Sequence, residues 1–203
     1  MLVILISGRG SNMQALIDDG LPVAAVISNR ADAPGLEIAA ARGIATAVVE
    51  HRRFASRADF ERALADRIDE FRPRLVALAG FMRVLAPQFV QRYQGRLLNI
   101  HPSLLPAFPG LDTHERALAA GVKVHGCTVH FVTAELDSGP IVIQAAVAVR
   151  GEDSAASLAA RVLQQEHVIY PRAVRWFLED RLLLEGERVR VKGGDAQLVV
   201  SAA

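Results

Sequence analysis

The sequence predicts an α/β protein whose open, mostly parallel sheet has helices on both faces and an antiparallel edge in its C-terminal half. Short apolar runs rich in β-branched residues alternate with segments whose apolar residues recur at helical spacing. Glycine and proline punctuate the changeovers. Such alternation is typical of a Rossmann-like arrangement, in which ligands bind beyond the carboxyl ends of the strands.

The first half of the chain shows this alternation most clearly. A charged amphipathic helix is expected over "RADFERALADRIDEF" at 57–71, because its apolar residues recur at helical spacing. The predicted strands around it are "LVILI" at 2–6, "VAAVIS" at 23–28, "ATAVVE" at 45–50, "LVALAG" at 75–80 and "LLNI" at 97–100. This order indicates a βαβ series.

The pattern changes after residue 122. "VHGCTVHFV" at 124–132 and "IVIQAAVAV" at 141–149 predict a hairpin-like pair of strands at the edge of the sheet. A long amphipathic helix is expected from about Ser154 to Asp180, with Ser154 as its N-cap. "LLLEGERVRV" at 182–191 predicts a terminal hairpin. Because no long linker separates these elements, we expect one domain over residues 1–203.

Composition and charge exclude several classes of function. The chain has 203 residues, 51% of them hydrophobic, which is enough for a substantial core. A net charge of +1, from 23 basic and 22 acidic residues, gives no basic stripe for nucleic acid. The single cysteine excludes an internal disulfide, and no Cys/His spacing predicts a metal site. The opening apolar run is too short for a signal or membrane segment, so we expect a cytoplasmic protein without a membrane partner.

A glycine loop follows the first predicted strand. In "SGRGSN" at 7–12, backbone N–H groups would converge at a helix N-terminus, a geometry that binds phosphate. The loop is not a dinucleotide fingerprint, because Met13 stands where a third glycine belongs and no acidic ribose ligand follows the second strand. A monophosphate therefore fits better. The alternative is a tight turn in which Ser11 or Asn12 caps the helix.

Asn99 and His101 lie at the end of the fifth predicted strand, in "NIHPSLLPAFPG". The proline after His101 favours extended backbone, and a spacing of two residues puts both side chains on the same side of the segment. An amide N–H and an imidazolium N–H suit an oxygen that gains negative charge as a carbonyl becomes tetrahedral. The pair indicates acyl transfer. The alternative is a structural loop in which both side chains bind backbone groups.

Asp137 is the third candidate, in the turn "ELDSGPI" before a predicted strand. A carboxylate beside His101 would favour the charged imidazole and could accept a proton through a water molecule. No covalent nucleophile is then required, and Cys127 lies in an apolar run where a buried, unreactive thiol is expected. The alternative for Asp137 is a simple turn aspartate.

Taken together, the motifs closely resemble the glycinamide ribonucleotide formyltransferase family of purine biosynthesis. The resemblance runs from residue 2 to about residue 185 and rests on "ISGRGSN", "LAGFMRVL", "LLNIHPSLLPAFPG", "HGCTVHFV", "ELDSGPI" and "QEHVIYP". It implies the formyltransferase fold and formyl transfer from 10-formyltetrahydrofolate to the amine of glycinamide ribonucleotide. Residues 1–99 would then be the phosphoribosyl-binding half, and residues 100–203 the catalytic and folate-binding half.

The resemblance also implies roles for single residues. Asn99, His101 and Asp137 would carry the catalysis, with Asn99 also in contact with the folate. The phosphoribosyl group would be held by Gly10, Ser11 and Asn12, and the rest of the acceptor would be contacted by Glu166. The folate would lie along Met82, Arg83, Val84 and Leu85, with Arg57 near its glutamate tail. Without the resemblance, Glu166 and Arg57 would be exposed helical charges, and "FMRVL" would be core.

Two rival functions stay open at this point. Another folate-dependent formyltransferase or hydrolase could use the same Asn, His and Asp set, although we expect such relatives to carry a further domain for which this chain has no room. A non-catalytic nucleotide-binding module would explain the glycine loop but not the three candidate catalytic residues. The sequence leaves the oligomeric state open between a monomer and a homodimer.

Overall fold

The computed structural model describes residues 1–201. Within them, eight of the ten strands belong to one mixed sheet, which confirms the predicted α/β class. Contacts divide the chain into two compact units, Met1–Leu98 and a second that begins at Asn99. The division of a single domain into halves 1–99 and 100–203 stays a prediction.

The first unit is a parallel βαβ series, as the alternating pattern predicts. Its strand order is β4-β1-β2-β3, and every residue of β1 is buried. Strands covered on both faces are expected to be continuously apolar, which explains the run "LVILI". The strands are β1 Leu2–Ile6, β2 Val23–Ser28, β3 Ala45–Val48 and β4 Leu75–Leu78, and the helices are α1 Ser11–Asp18, α2 Pro34–Ala41, α3 Arg57–Asp69 and α4 Pro87–Arg92, with a 3-10 turn at His51–Arg53.

The second unit contains the antiparallel part of the sheet. β5 spans Leu97–His101, and the later strands are β6 Val124–Phe131, β7 Ile141–Ala148, β8 Leu182–Glu185, β9 Arg188–Val191 and β10 Leu198–Val200. The helices are α5 Thr113–Ala119 and α6 Ala155–Leu178. β6 and β7 pair antiparallel, while β8 and β9 form the separate hairpin that the sequence predicts.

The antiparallel edge predicted for the C-terminal half is confirmed, and one further strand, β10, extends the sheet beyond the β6–β7 pair. β10 lies outside β7 and pairs with it in parallel, with Leu198 opposite Gln144 and Val200 opposite Ala146. A run of three apolar residues is too short to show strand periodicity, so the sequence does not announce this strand. It is held by hydrogen bonds to backbone groups of β7 that would otherwise face solvent. In one of these bonds the Gln144 N–H donates to the Gln197 carbonyl.

α6 confirms the predicted long helix and its cap. The Ser154 hydroxyl accepts the Ser157 N–H, and the Ser157 hydroxyl accepts the Ser154 N–H, which completes a capping box. The helix continues through Pro171 although proline removes one intrahelical bond, because its buried face packs on β6 and β7. Among residues 1–201, no helix combines the length and apolar character needed to cross a membrane.

The close pairing of β6 with β7 predicts a stability effect at Gly126. A Cβ atom at this position would stand 1.9 Å from the carbonyl oxygen of Ala145. Because the two strands are hydrogen-bonded to each other, neither backbone can move aside to make room for the Cβ. We therefore expect Gly126→Ala to lower the free energy of unfolding by about 2 kcal/mol or more, measured by denaturant titration. Gly151→Ala is the control, because its Cβ would meet nothing within 4 Å. Equal losses in the two variants would contradict the argument.

Candidate active site

The glycine loop turns sharply between β1 and α1. Gly10 is the N-cap of α1 and has φ 74°, in the left-handed region that favours glycine. A Cβ here would stand 3.1 Å from Met13 Cε and 3.3 Å from Gly35 Cα. The Gly35 N–H in turn donates to the Gly8 carbonyl, at 3.1 Å. Glycine is therefore required at position 10 both by backbone conformation and by the close approach of α2.

Ser11 and Asn12 are the first two residues of α1, and neither is its N-cap. The cap is Gly10, which has no side chain to offer to the N–H groups of the first turn. Backbone donors at a helix N-terminus bind anions well when no side chain caps them. The structure thus disagrees with the alternative in which Ser11 or Asn12 caps the helix, and the phosphate site stays a prediction.

Ser7, at the end of β1, connects this loop to the segment 81–85. Its hydroxyl donates to Asn29 Oδ1 at 2.6 Å and accepts the Met82 N–H at 2.8 Å. Ser7 and Asn29 are both buried, at 6% and 2% exposure. The sequence did not reveal this role of Ser7. A hydroxyl that donates to one partner and accepts from another fixes both, so it holds the backbone of segment 81–85 in place.

Segment 81–85 is only partly core. Met82 and Val84 are 64% and 62% exposed, whereas Phe81 and Leu85 are buried. The expectation that this segment is core therefore holds for Phe81 and Leu85, but not for Met82 and Val84. Two large exposed apolar side chains on a backbone held by Ser7 are a suitable wall for a flat organic ligand.

Arg57 begins α3 and is held by a buried carboxylate. Its Nε donates to Glu61 Oε1 at 2.8 Å, and the same oxygen accepts the Ala86 N–H at 2.9 Å. Glu61 is only 6% exposed. Arg57 is thus a half-exposed guanidinium group with a defined orientation. It is not the unconstrained surface charge that the helix pattern alone would suggest. Sequence reasoning missed Glu61, because an acid on a charged helix is normally exposed.

His101 and Asp137 form the centre of the second unit's polar cluster. His101 is 5% exposed, and its Nδ1 lies 3.4 Å from Asp137 Oδ2. The other ring nitrogen, Nε2, donates to the Phe108 carbonyl at 3.0 Å. Asp137 Oδ2 also accepts the Gly110 N–H at 2.8 Å. The imidazole and the carboxylate are therefore each oriented by the backbone of the loop after β5.

The loop that carries Asp137 lies tightly against the end of β6. Asp137 has φ 50°, and a Cβ at Gly139 would stand 1.9 Å from the Phe131 carbonyl oxygen. The Phe131 N–H donates to the Pro140 carbonyl at 2.9 Å. Gly139 allows this contact because it has no side chain. The same loop forms one wall of a cavity of about 740 Å³.

His130 is a site residue that sequence reasoning missed. Its Nδ1 lies 2.9 Å from the Phe131 carbonyl oxygen, and its Nε2 lies 3.2 Å from Asn99 Nδ2. A carbonyl can only accept, so Nδ1 carries the proton and Nε2 accepts from the Asn99 amide. Burial lowers the pKa of His130 and so favours this neutral form. His130 therefore sets which way the Asn99 amide points, and one amide hydrogen of Asn99 stays available.

A second pair of histidines packs against the loop after His101. His125 Nε2 lies 3.2 Å from His114 Nδ1, and the ring of Phe108 lies 6.0 Å from that of His125. Burial lowers the pKa of His125 to about 4 and lowers the pKa of His114 as well. Two neutral rings can share one hydrogen bond where two charged rings would repel.

Glu166 and Cys127 are both buried. Glu166, on α6, is 7% exposed. It is therefore not the exposed helical charge that would be expected without the family resemblance. Burial raises the pKa of the Cys127 thiol, and the nearby Glu166 carboxylate raises it further. The structure thus agrees with an unreactive Cys127. In the described chain, no group of three His, Cys, Asp or Glu side chains is placed to hold a metal ion.

The comparison with known proteins decides the family. The sequence profile of the formyl transferase family matches residues 1–174. The chain belongs to the formyl transferase family. A phosphoribosylglycinamide formyltransferase of Escherichia coli K12 is 50% identical over 205 residues, covering 95% of this chain and 97% of that protein.

Solved structures show the same fold. A phosphoribosylglycinamide formyltransferase from Coxiella burnetii has a TM-score of 0.91 at 48% identity and covers 95% of this chain and 93% of its own. A formyltetrahydrofolate deformylase from Pseudomonas syringae has a TM-score of 0.87 at 28% identity, over 94% of this chain and 65% of its own. The predicted formyltransferase fold is thereby confirmed.

The buried histidines predict how stability depends on pH. His125 has a lowered pKa in the folded protein, so below about pH 6.5 the unfolded chain binds a proton that the folded chain does not. We therefore expect the free energy of unfolding to fall as the pH is lowered from 7 to 5. His125→Gln, which keeps a polar group without titrating, should show a shallower fall in urea titrations across this range. Equal slopes in the two proteins would contradict this origin.

Proposed function

We propose that this chain transfers the formyl group of 10-formyltetrahydrofolate to the amine of glycinamide ribonucleotide, which gives formylglycinamide ribonucleotide and tetrahydrofolate. The observation that carries the proposal is the cluster of Asn99, His101 and Asp137, in which a buried imidazole contacts a carboxylate. Membership of the formyl transferase family agrees with this chemistry. A cytoplasmic location is part of the proposal.

The acceptor amine attacks the formyl carbon directly, and the formyl oxygen becomes an oxyanion. Asn99 stabilises this oxyanion with the amide hydrogen that His130 does not use. Because His130 is neutral and accepts the other hydrogen, the amide is held with its nitrogen toward the reacting group. An amide that needs no reorientation during the reaction stabilises the transition state most effectively.

His101 supplies the second donor. Its Nδ1 lies 3.4 Å from the Asp137 carboxylate, and its Nε2–H donates to the Phe108 carbonyl. We propose that the formyl oxygen replaces this carbonyl as the acceptor during transfer. An imidazolium donor is stronger than a neutral one, and a buried site strengthens it further.

Asp137 has two roles in this scheme. Its Oδ2 orients His101, and through a water molecule the carboxylate accepts the proton that the attacking amine loses. Orientation and electrostatics supply the rate, without a covalent intermediate on the protein. As the carbonyl re-forms, the bond between the formyl carbon and N10 breaks, and the proton that Asp137 took up returns through water to N10, so tetrahydrofolate leaves and the carboxylate is restored.

The remaining proposed contacts bind the two substrates. The acceptor's single phosphate is assigned to Gly10, Ser11 and Asn12, whose backbone donors no side chain caps. Glu166 is assigned to the glycinamide or ribose portion. The folate is assigned to Met82, Arg83, Val84 and Leu85, together with Asn99, and its glutamate tail to Arg57. The exposure of Met82 and Val84 supports the folate assignment.

Hydrolysis of the same donor is the alternative that one solved structure, the deformylase, brings into consideration. The fold accommodates a formyltetrahydrofolate deformylase as well as formyltransferases, so the fold alone does not decide between water and an amine as acceptor. The uncapped glycine loop favours an acceptor with a phosphate, which water lacks.

The decisive experiment measures tetrahydrofolate formation from the 10-formyl donor with and without glycinamide ribonucleotide. We expect turnover only when the acceptor is present. Equal turnover in both reactions would show a hydrolase. No turnover in either reaction, from protein shown to be folded by circular dichroism, would favour a different acceptor or a binding module.

Substitutions in the cluster test the assigned roles. We expect His101→Ala and Asp137→Asn each to lower kcat at least about a hundredfold, because each removes a group that acts in the transition state. Acceptor affinity, measured by calorimetry, should stay nearly unchanged. Asp180→Asn is the matched control, since Asp180 has the same left-handed backbone, with φ 55° against 50° at Asp137. Near wild-type kcat in either cluster variant would overturn its assignment.

A further inference from the structure

The loop between β5 and α5 supplies a backbone group to each member of the buried pair. The Phe108 carbonyl accepts from His101, and the Gly110 N–H donates to Asp137. We call residues 108–111 the orienting segment. Because both groups lie on this short stretch of chain, its position decides where the imidazole and the carboxylate point.

The Gly110 N–H is the closest of these contacts for the carboxylate. It lies 2.8 Å from Asp137 Oδ2, whereas His101 Nδ1 lies 3.4 Å from the same oxygen and His130 Nε2 lies 3.8 Å from Oδ1. A separation of 2.8 Å is that of a normal N–H···O hydrogen bond, and the other two are longer. The orientation of the Asp137 carboxylate therefore depends chiefly on Gly110.

The orienting segment is largely exposed, so core packing does little to hold it. Pro109 is exposed, and Leu111 is exposed at 68%. Phe108 has φ 54° and Asp112, directly after the segment, has φ 55°, in the left-handed region that residues other than glycine rarely adopt. Such backbone persists only where surrounding groups determine its shape. The segment thus needs contacts from outside itself.

Arg116, on α5, makes these contacts. Its Nη1 donates to the Pro109 carbonyl at 2.5 Å and to the Leu111 carbonyl at 3.3 Å, and these carbonyls lie on either side of Gly110. The guanidinium carbon also lies 5.7 Å from the centre of the Phe108 ring, within the range of a cation–π contact. One side chain therefore contacts three of the four residues of the orienting segment.

Arg116 acts from a fixed base. The Thr113 hydroxyl, in the first turn of α5, donates to the Pro102 carbonyl at 2.7 Å, and Thr113 is only 3% exposed. The Arg116 N–H donates to the Asp112 carbonyl at 3.0 Å, which continues the first turn of the helix. A helix anchored to the residue after His101 presents the guanidinium group to the orienting segment in a constant position.

We propose that Arg116 is a positioning residue, which holds the orienting segment so that the Gly110 N–H keeps the Asp137 carboxylate in its reactive orientation. The inference rests on the proposed function, which assigns proton transfer to Asp137. A group that is already oriented for the reaction contributes more to the rate than one that must first be ordered. Arg116 touches no reacting atom in this scheme, so its effect reaches the reaction only through Asp137.

Substitution of Arg116 tests the proposal first. We expect Arg116→Gln to lower kcat about tenfold, less than Asp137→Asn does, because the carboxylate remains and loses only its orientation. Arg116→Lys should lose only about threefold, since an ammonium group keeps the charge but not the planar fork of donors. An Arg116→Gln enzyme with wild-type kcat would overturn the proposal.

Arg96→Gln is the matched control. Arg96 also donates to two backbone carbonyls, at 3.2 and 3.3 Å, and lies 4.9 Å from the centre of the Tyr93 ring. Its partners all belong to the first unit, so the substitution removes the same kinds of contact without touching the orienting segment. We expect kcat within about twofold of wild type, with circular dichroism showing that both variants fold. A tenfold loss in this control as well would contradict a special role for Arg116.

A double-mutant cycle with Asp137→Asn separates positioning from general damage. In this background there is no carboxylate left to orient, so Arg116→Gln should lower the remaining kcat by no more than about twofold. A purely structural role of Arg116 would give the same loss in both backgrounds. That result would overturn the proposal.

Amide exchange measures the hold on the segment without any turnover. We expect the Gly110 amide, followed by NMR, to exchange about fivefold faster in Arg116→Gln than in wild type, and at the wild-type rate in Arg96→Gln. Unchanged exchange in Arg116→Gln would refute the hold. Failure of the proposed function would appear differently, as wild-type protein without acceptor-dependent turnover, and Gly110 exchange would still decide whether Arg116 holds the orienting segment.

Discussion

The contact between His101 and Asp137 is the interaction on which the second unit's site depends. Both side chains are almost fully buried, and a buried charge is costly unless it is paired and hydrogen-bonded. The chain meets this requirement with the backbone of one loop, since the Phe108 carbonyl accepts from His101 and the Gly110 N–H donates to Asp137. The stiff, proline-rich segment after β5 is thus the structure that pairs these two groups.

The other histidines of this unit are kept neutral around that pair. Burial lowers the pKa of His114, His125 and His130, and each ring has a hydrogen-bond partner that suits its neutral form. Additional positive charges here would compete with His101 for Asp137. Neutral rings instead serve as packing groups and acceptors, and His130 uses this property to orient Asn99.

Anions are proposed to bind the first unit by two different physical means. At the glycine loop the donors are backbone N–H groups at a helix N-terminus, which present partial charge in a rigid geometry. At α3 the donor is the guanidinium group of Arg57, which is fixed by buried Glu61. Backbone donors in a rigid turn suit one phosphate of constant shape, whereas a guanidinium group suits the planar carboxylate of a glutamate.

The sequence by itself determined the α/β class, most strand and helix positions, and the placement of Asn99 and His101 on one side of a strand end. Periodicity and proline geometry are local properties, and local properties can be read from neighbouring residues. Only the tertiary structure decided that His130 orients Asn99, that Ser7 holds Met82, and that β10 forms the sheet edge. Ser7 and Met82 are 75 positions apart in the chain, and β10 is held by backbone bonds to β7. Such partners are selected by packing and by the need to satisfy buried polar groups, and neither leaves a periodic signal in the sequence.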